Sequence, residues 1–368
     1  MSPYPCSLAQ TVPPINASPG DDTGSWLRYL AALDGYHAGD AGAGGVRGMG
    51  VRVSVLIALA YIALTAAWVL STRPFGGPDE TAHYLKAISV SNGQLVGARA
   101  PNTLLAVQGP LSALGRQWEQ RSTRAVRVPA ALSPPGAHCI DGSPNVRGSC
   151  IESTYTGTYP LLAYLAPAAA VTLSGHVASA SWLARAASAL PATAFVLLTL
   201  LVLWDGTLWS LLGPLLALTP TVLFADSLVN PSGLEIAAAA AFLAALLAIV
   251  RAPARPARYL WAAAGLSGVV TVLTWQLGPL FVAVALSFFV CLLTPRGVIS
   301  LVRSRRRESL AVAGALGVSL LLYVLYTALA HGAPTTVGLE QVGDLHAGLD
   351  QVWPSIRQAV GDFGQLSV

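Results

Sequence analysis

Runs of about twenty apolar residues recur along this chain, the first being VRVSVLIALAYIALTAAWVLS at 51–71. A helix needs about that length to cross ~30 Å of hydrocarbon. Lipid offers no partner for backbone N–H and C=O groups, so such runs commit the chain to helices that satisfy their own backbone. Further runs lie at 159–173, 182–204, 207–228, 232–250, 259–275, 277–293 and 310–330. Composition agrees: 54% of residues are hydrophobic and only 10% charged, against about a quarter charged in a soluble domain. A net charge of +4 does not imply nucleic acid, because the arginines sit in short clusters between apolar runs, where they set topology. Lys86 is the only lysine.

Arg47 before the first run and Arg52 at its very start keep its N-terminal end cytoplasmic. That run is too long for a signal-peptide core and has no convincing cleavage site behind it, so it reads as an uncleaved anchor. Residues 72–158 then form a long extracytoplasmic loop. Two short stretches are strongly basic, RAPARPAR at 251–258 and RGVISLVRSRRRE at 296–308. If every apolar run crossed, both would lie outside, against the positive-inside bias. Parity returns if 159–173, the shortest run, with Pro160 and Pro167, is instead re-entrant or interfacial. The expected fold is therefore an all-α integral protein of the cell (plasma) membrane. It has about seven transmembrane helices, one re-entrant or interfacial helix, and a long first extracytoplasmic loop.

Residues 1–48, rich in Gly, Ala, Asp and Pro without apolar periodicity, read as a disordered extension. Met1 and Met49 are the two methionines, and Met49 stands just before the first run, so it is an alternative start. The polytopic domain covers 49–330, and 331–368 reads as an extracytoplasmic tail. Cys139 and Cys150 bracket a polar, turn-rich segment, and an oxidising compartment favours a disulfide between them over two free thiols. Cys291 lies in a run and reads as a packing residue. His176, His331 and His346 have no metal-ligand spacing.

STRPFGGPDETAHYLKAISVSNG at 71–93 follows the first crossing. Pro78 suits a first helical position and Gly93 a stop, which places Asp79 and Glu80 in a first turn, with His83 on the same face. A modest apolar stripe of Ala82, Leu85 and Ile88 or Ser89 suits a helix lying on the membrane surface. The two carboxylates can act as a general base or hold a divalent cation, Mg or Mn. They can equally be ordinary helix N-terminal acids. Arg185, in the first turn of the second crossing, either snorkels or binds phosphate. In FADSLVNPSGLE, Asn230 and Pro231 read as a helix start and Glu235 as a first-turn acid, while Asp226 has no structural reason to lie near lipid.

RPFGGPDETAHYLKAISVSNGQL resembles the first-loop signature of a family of multi-pass bacterial membrane proteins of unknown function, which carry a Pro-Asp-Glu-x-x-His motif and a following G-x-L. The likeness continues through TYPLLAYLAP, ARAASAL, LTPTVLFADSLVNPSGLEIA and IRQAVGDFGQL, so it covers most of the chain from Met49 onward. That family in turn resembles the GT-C glycosyltransferases, which use lipid-linked sugars on the outer membrane face. The resemblance implies a GT-C-like fold and matches Asp79 or Glu80 to the first-loop acid that serves as base or metal ligand. It matches Arg185 to the arginine near the donor phosphate and Asp226 to a second acidic position. Relatives continue into further crossings where this chain ends at Val368, so the resemblance implies a truncated or diverged member.

The implied partners are membrane lipid and a polyprenyl-phosphate sugar. In this reading Asp79, helped by Glu80 or a cation, deprotonates an acceptor hydroxyl, with His83 on the same helix face. Arg185, Arg73 and Lys86 neutralise the departing phosphate, with Asp226, Asn230 and Glu235 at the substrate. The alternatives are a lipid-linked glycan transporter or flippase, with Arg185, Asp226 and Glu235 lining its path, and a non-catalytic envelope assembly protein.

Overall fold

A computed structural model describes residues 43–96, 98–99, 123–135, 148–205, 207, 209–251 and 257–330. The chain divides into two units, Met1–Arg52 and Val53–Val368. Of the first, only the start of helix α1 (Ala43–Ser71) is described. The helix begins within the segment expected to lack structure, 1–48. Once the apolar run has nucleated it, each added turn needs little further stabilisation.

Five helices are long and apolar enough to cross a membrane: α1 from Val53, α4 (Val177–Leu203), α7 (Pro231–Arg251), α9 (Gly278–Ser304) and α10 (Arg306–Ala330). The pair α5 (Trp209–Ala217) and α6 (Pro220–Asp226), bent by 67°, makes either a sixth, broken span or a re-entrant loop. The sequence itself encodes that break. Thr219 caps α6 by accepting from the Val222 N–H, and Pro220 takes the first turn, where its missing N–H is harmless. The remaining expected crossing, 259–275, is α8 (Arg258–Thr274), whose 17 residues span about 25 Å. The run at 159–173 contains α3 (Leu162–Val171), whose ten residues cover about 15 Å and are too few to cross.

The core lies on α7, whose most apolar window is 61% buried against 6% for α10. Its AAAAAFLAALLA stretch carries side chains small enough for neighbouring helices to come close. Ala237, Ala238 and Ala241 meet Tyr61 of α1, Ala192 and Val196 of α4 and Leu223 of α6. Phe242, Ala245 and Ile249 meet Trp261, Ala264 and Val272 of α8 and Val282 of α9. The basic stretch expected as a loop at 296–308 is largely helical. α9 kinks at Thr294 (φ 62°) before Pro295 and continues to Ser304, and α10 follows at Arg306. Proline restricts the residue before it but suits the start of a new helical segment.

The described residues between α1 and α3 form a packed module. It holds α2 (Glu80–Ser91), an antiparallel sheet ordered β1 (Ala98–Arg99), β2 (Arg124–Pro129) and β3 (Ser149–Thr154), and a 3₁₀ helix, Tyr155–Thr158. The structure is thus mostly helical, and the all-α expectation omits this sheet. RAVRVP alternates in the period of a strand and turns Val126 and Val128 inward. Beneath them pack Tyr84, Leu85 and Ile88 of α2 and Ala180 and Ala184 of α4. The expected surface-lying α2 is therefore enclosed, with Glu80 and every residue from His83 to Ser89 buried.

Candidate functional site

The site is built where α2 begins. Gly77 lies directly against the Leu228 side chain, in the connection between α6 and α7, so an added Cβ would collide there. This contact brings GGPDE onto the ADSLVN stretch. The helix starts at Glu80, two residues later than Pro78 suggests, and Asp79 is its N-cap in the left-handed region (φ 58°, ψ 2°), making no capping bond. Aspartate at this position ordinarily caps an amide of the first turn, and a left-handed backbone costs a non-glycine residue about 1–3 kcal/mol. Asp79 therefore bears strain without capping its helix, and it is exposed. Burial first, and Asp79 second, raise the pKa of the Tyr155 phenol.

Glu80 has the opposite fate. Its Oε1 accepts from Arg185 Nε at 2.5 Å and its Oε2 from Arg185 NH2 at 2.6 Å, with both side chains buried. The guanidinium also donates to the carbonyls of Thr72 (2.5 Å), Arg73 (2.6 Å) and, at longer range, Val69 (3.5 Å). Those contacts engage all five guanidinium N–H groups. Trp182 covers the cation with its ring centroid 5.2 Å away. Arg185 lies eight residues into α4 rather than in its first turn, because α4 starts at Val177 to reach the module. Arg73 gives its backbone oxygen to this knot while its own side chain is exposed.

His83 and Lys86 face inward. His83 Nδ1 is 2.7 Å from the Tyr164 hydroxyl on α3, and burial lowers the imidazole pKa to about 4 despite the nearby Asp79 charge. Lys86 donates to the carbonyls of Leu95 and Gly157, each at 2.5 Å. Burial first, and Arg124 second, lower its pKa to about 7. Both side chains tie the module together.

Asp226 Oδ2 accepts from Tyr61 of α1, while its Oδ1 is buried without a hydrogen-bond partner among the described residues. Tyr61 lies eight residues before Val69, about 12 Å along the helix. This carboxylate therefore belongs to a lower layer than the Arg185 knot. Gly233 makes the packing possible, since a Cβ there would sit 2.7 Å from Ala225 O and 2.8 Å from Asp226 Cα. Glu235, two residues on, projects about 200° around α7, where it acts electrostatically on Tyr323 of α10. Its Oε1 is likewise buried and unpartnered among the described residues. Asn230 accepts from the Ser232 N–H at 2.8 Å, as a helix cap does.

The structure thus joins Asp79, Glu80, Arg73 and Arg185 at one point, with Asp226 beyond Leu228 and Glu235 on another face. No group of three or more His, Cys, Asp or Glu side chains suited to a metal occurs among the described residues. With Glu80 engaged by Arg185, Asp79 has no second carboxylate among the described residues with which to hold a divalent cation. Cys150, in β3, is disulfide-bonded; Cys139 lies outside the described residues, as do residues 1–42 and 331–368. The sequence reading passed over Tyr61, Tyr155 and Tyr164. A tyrosine within an apolar run, and three more in TYTGTYPLLAY at 154–164, were the available signals.

The family model described as "Predicted membrane protein (DUF2142)" matches residues 62–361. The match takes in most of the chain, which therefore belongs to that family. No curated protein and no solved structure matches it.

Proposed function

We propose that this member of the DUF2142 membrane-protein family is a GT-C-type glycosyltransferase, moving a sugar from a polyprenyl phosphate to a cell-envelope acceptor at the extracytoplasmic face. The observation that carries the reading is the divided fate of two adjacent acids. Glu80 is consumed by Arg185, while Asp79 is held in a strained conformation, exposed and released from capping. Strain of this kind tends to gather at functional sites.

Asp79 accepts the proton of the acceptor hydroxyl. The acceptor oxygen then bonds to the anomeric carbon as the carbon–oxygen bond to phosphate breaks, and that electron pair leaves with the lipid phosphate. Arg185 has no N–H left for the phosphate, so the guanidinium assigned to the developing charge is Arg73, exposed on the same knot. Arg185 and Glu80 hold the α1–α2 connection in place, and no step uses a metal.

The test is transfer from a lipid-linked sugar donor in membranes carrying the full chain. Asp79→Asn should lower transfer at least about 100-fold, a range general-base loss commonly reaches, and Arg73→Ala should lower it less. Undiminished transfer by Asp79→Asn rejects the reading.

A second reading, a lipid-linked glycan transporter, is favoured by the 67° bend between α5 and α6 and by the Tyr61–Asp226 bond beneath the knot. Broken helices and polar groups at membrane depth are what transport requires. Donor flipping that survives Asp79→Asn and fails in Asp226→Asn would select it.

A further inference from the structure

We propose that the basic piece of α9 beyond its kink binds the headgroup phosphate of an anionic phospholipid, in a cleft between Arg296 and Arg303. The proposal stands apart from the glycosyltransferase reading and concerns the end of the bundle where α9 passes into α10.

The kink makes a separate helix of this piece. Thr294 leaves the helical region (φ 62°, ψ 157°), its hydroxyl accepts from the Gly297 N–H at 3.4 Å, and Pro295 takes the first turn. From there the chain is helical to Ser304. Leu301 is buried in the cluster that holds Ile249 of α7 and Trp261 of α8, and Val298 packs against it. Those two contacts fix which side of the piece looks outward. Arg296, Ser300 and Arg303, spaced by four and three residues, share the opposite side. With Ile299 and Ser304 they line an open cleft of about 650 Å³, within the range of about 300–1,000 Å³ usual for ligand sites.

Arg296 and Arg303 stand two turns apart, about 10.5 Å along the axis, with Ser300 between them. Both are exposed, and neither makes a hydrogen bond or ion pair among the described residues. Two guanidinium forks facing one gap suit a phosphodiester, whose unesterified oxygens share a negative charge and accept bidentately. Charge favours the anion further, since Arg305, Arg306 and Arg307 follow and Glu308 is the single acid of 296–308. Beside the arginines, Ile299 and Val302 are exposed apolar side chains, at 50% and 39%, which suits seating among acyl chains. Topology signalling needs only charge, in any arrangement, whereas Val298 and Leu301 hold this face in a fixed one. The sequence predicts this end to be cytoplasmic, on the leaflet where anionic headgroups gather.

The test measures binding of dioctanoyl phosphatidylglycerol and dioctanoyl phosphatidylcholine to the full chain in neutral detergent, by native mass spectrometry. The unsubstituted protein should prefer phosphatidylglycerol at least about tenfold, the scale of one charge-assisted hydrogen bond. Arg296→Gln with Arg303→Gln should abolish the preference. Arg306→Gln with Arg307→Gln removes the same charge outside the cleft and should keep most of it. Equal losses in the two double variants would reduce the patch to diffuse charge and overturn the site. Ser300→Phe fills the cleft at unchanged charge and should also lose the preference; it decides the matter should the first double variant fail to fold, and a preference it retains overturns the site. Equal binding of the two lipids by the unsubstituted protein, or displacement of phosphatidylglycerol by an equimolar amount of inorganic phosphate, overturns the assignment to a lipid.

Discussion

The knot around Arg185 and the layer around Asp226 both bury a carboxylate beside α1, but they satisfy it differently. At the knot, Glu80 meets a guanidinium whose every N–H has an acceptor, three of them backbone carbonyls just after or at the end of α1. In the lower layer, Asp226 has one phenol on one oxygen and nothing on the other among the described residues. A fully matched buried charge holds elements together. A half-matched acid adds little to stability and is kept where its chemistry or proton is used. The contrast also explains why the two acids of PDE differ: matching Glu80 fixes the chain entering α2 and leaves Asp79 exposed and uncapped.

The largest effect should come from unmatching the knot. Arg185→Ala strands the Glu80 carboxylate and three carbonyls, and should destabilise the protein by about 3–5 kcal/mol, read as a lowered thermal midpoint in detergent. The double variant Glu80→Leu with Arg185→Met should recover much of that loss. If the single variant melts like the unsubstituted protein, the knot is not structural and the comparison fails.

Gly233→Ala forces the α6–α7 contact apart and should cost about 1–3 kcal/mol, as overpacking does. The same change at Gly175, where an added Cβ meets nothing, should leave the midpoint in place. The smallest effect is expected at the lower acid: Asp226→Asn keeps the shape and an acceptor for Tyr61, so its midpoint should change by less than about 1 kcal/mol. A loss as large as that of Arg185→Ala would show that both layers are architectural.

Much of the fold was legible because membrane burial writes itself into run length. The spans of α1, α4, α7 and α10 follow from apolar stretches, whereas the run at 207–228, read as one crossing, is broken at Thr219 and Pro220. The short α3 was recognisable from its two prolines and its length. The sheet was not: two six-residue strands lie within a long polar segment, and pairing them depends on distant chain meeting. Gly93 did mark the end of α2, whereas Pro78 pointed to a start two residues early, because Gly77 packing on Leu228 and the Glu80–Arg185 pair dictate where that helix begins.

The candidate acids were legible one by one, as ionisable residues in a chain that has few. Their roles depended on partners far away in sequence: Arg185 stands 105 residues from Glu80 and Tyr61 stands 165 from Asp226. Local sequence determined that this protein is a bundle of membrane helices with acids at the start of α2, because hydrophobic length and helix signals act over neighbouring residues. Only the tertiary structure decided that Glu80 is bound and Asp79 exposed, because the match of a buried charge is settled by whichever groups the packed helices bring to it.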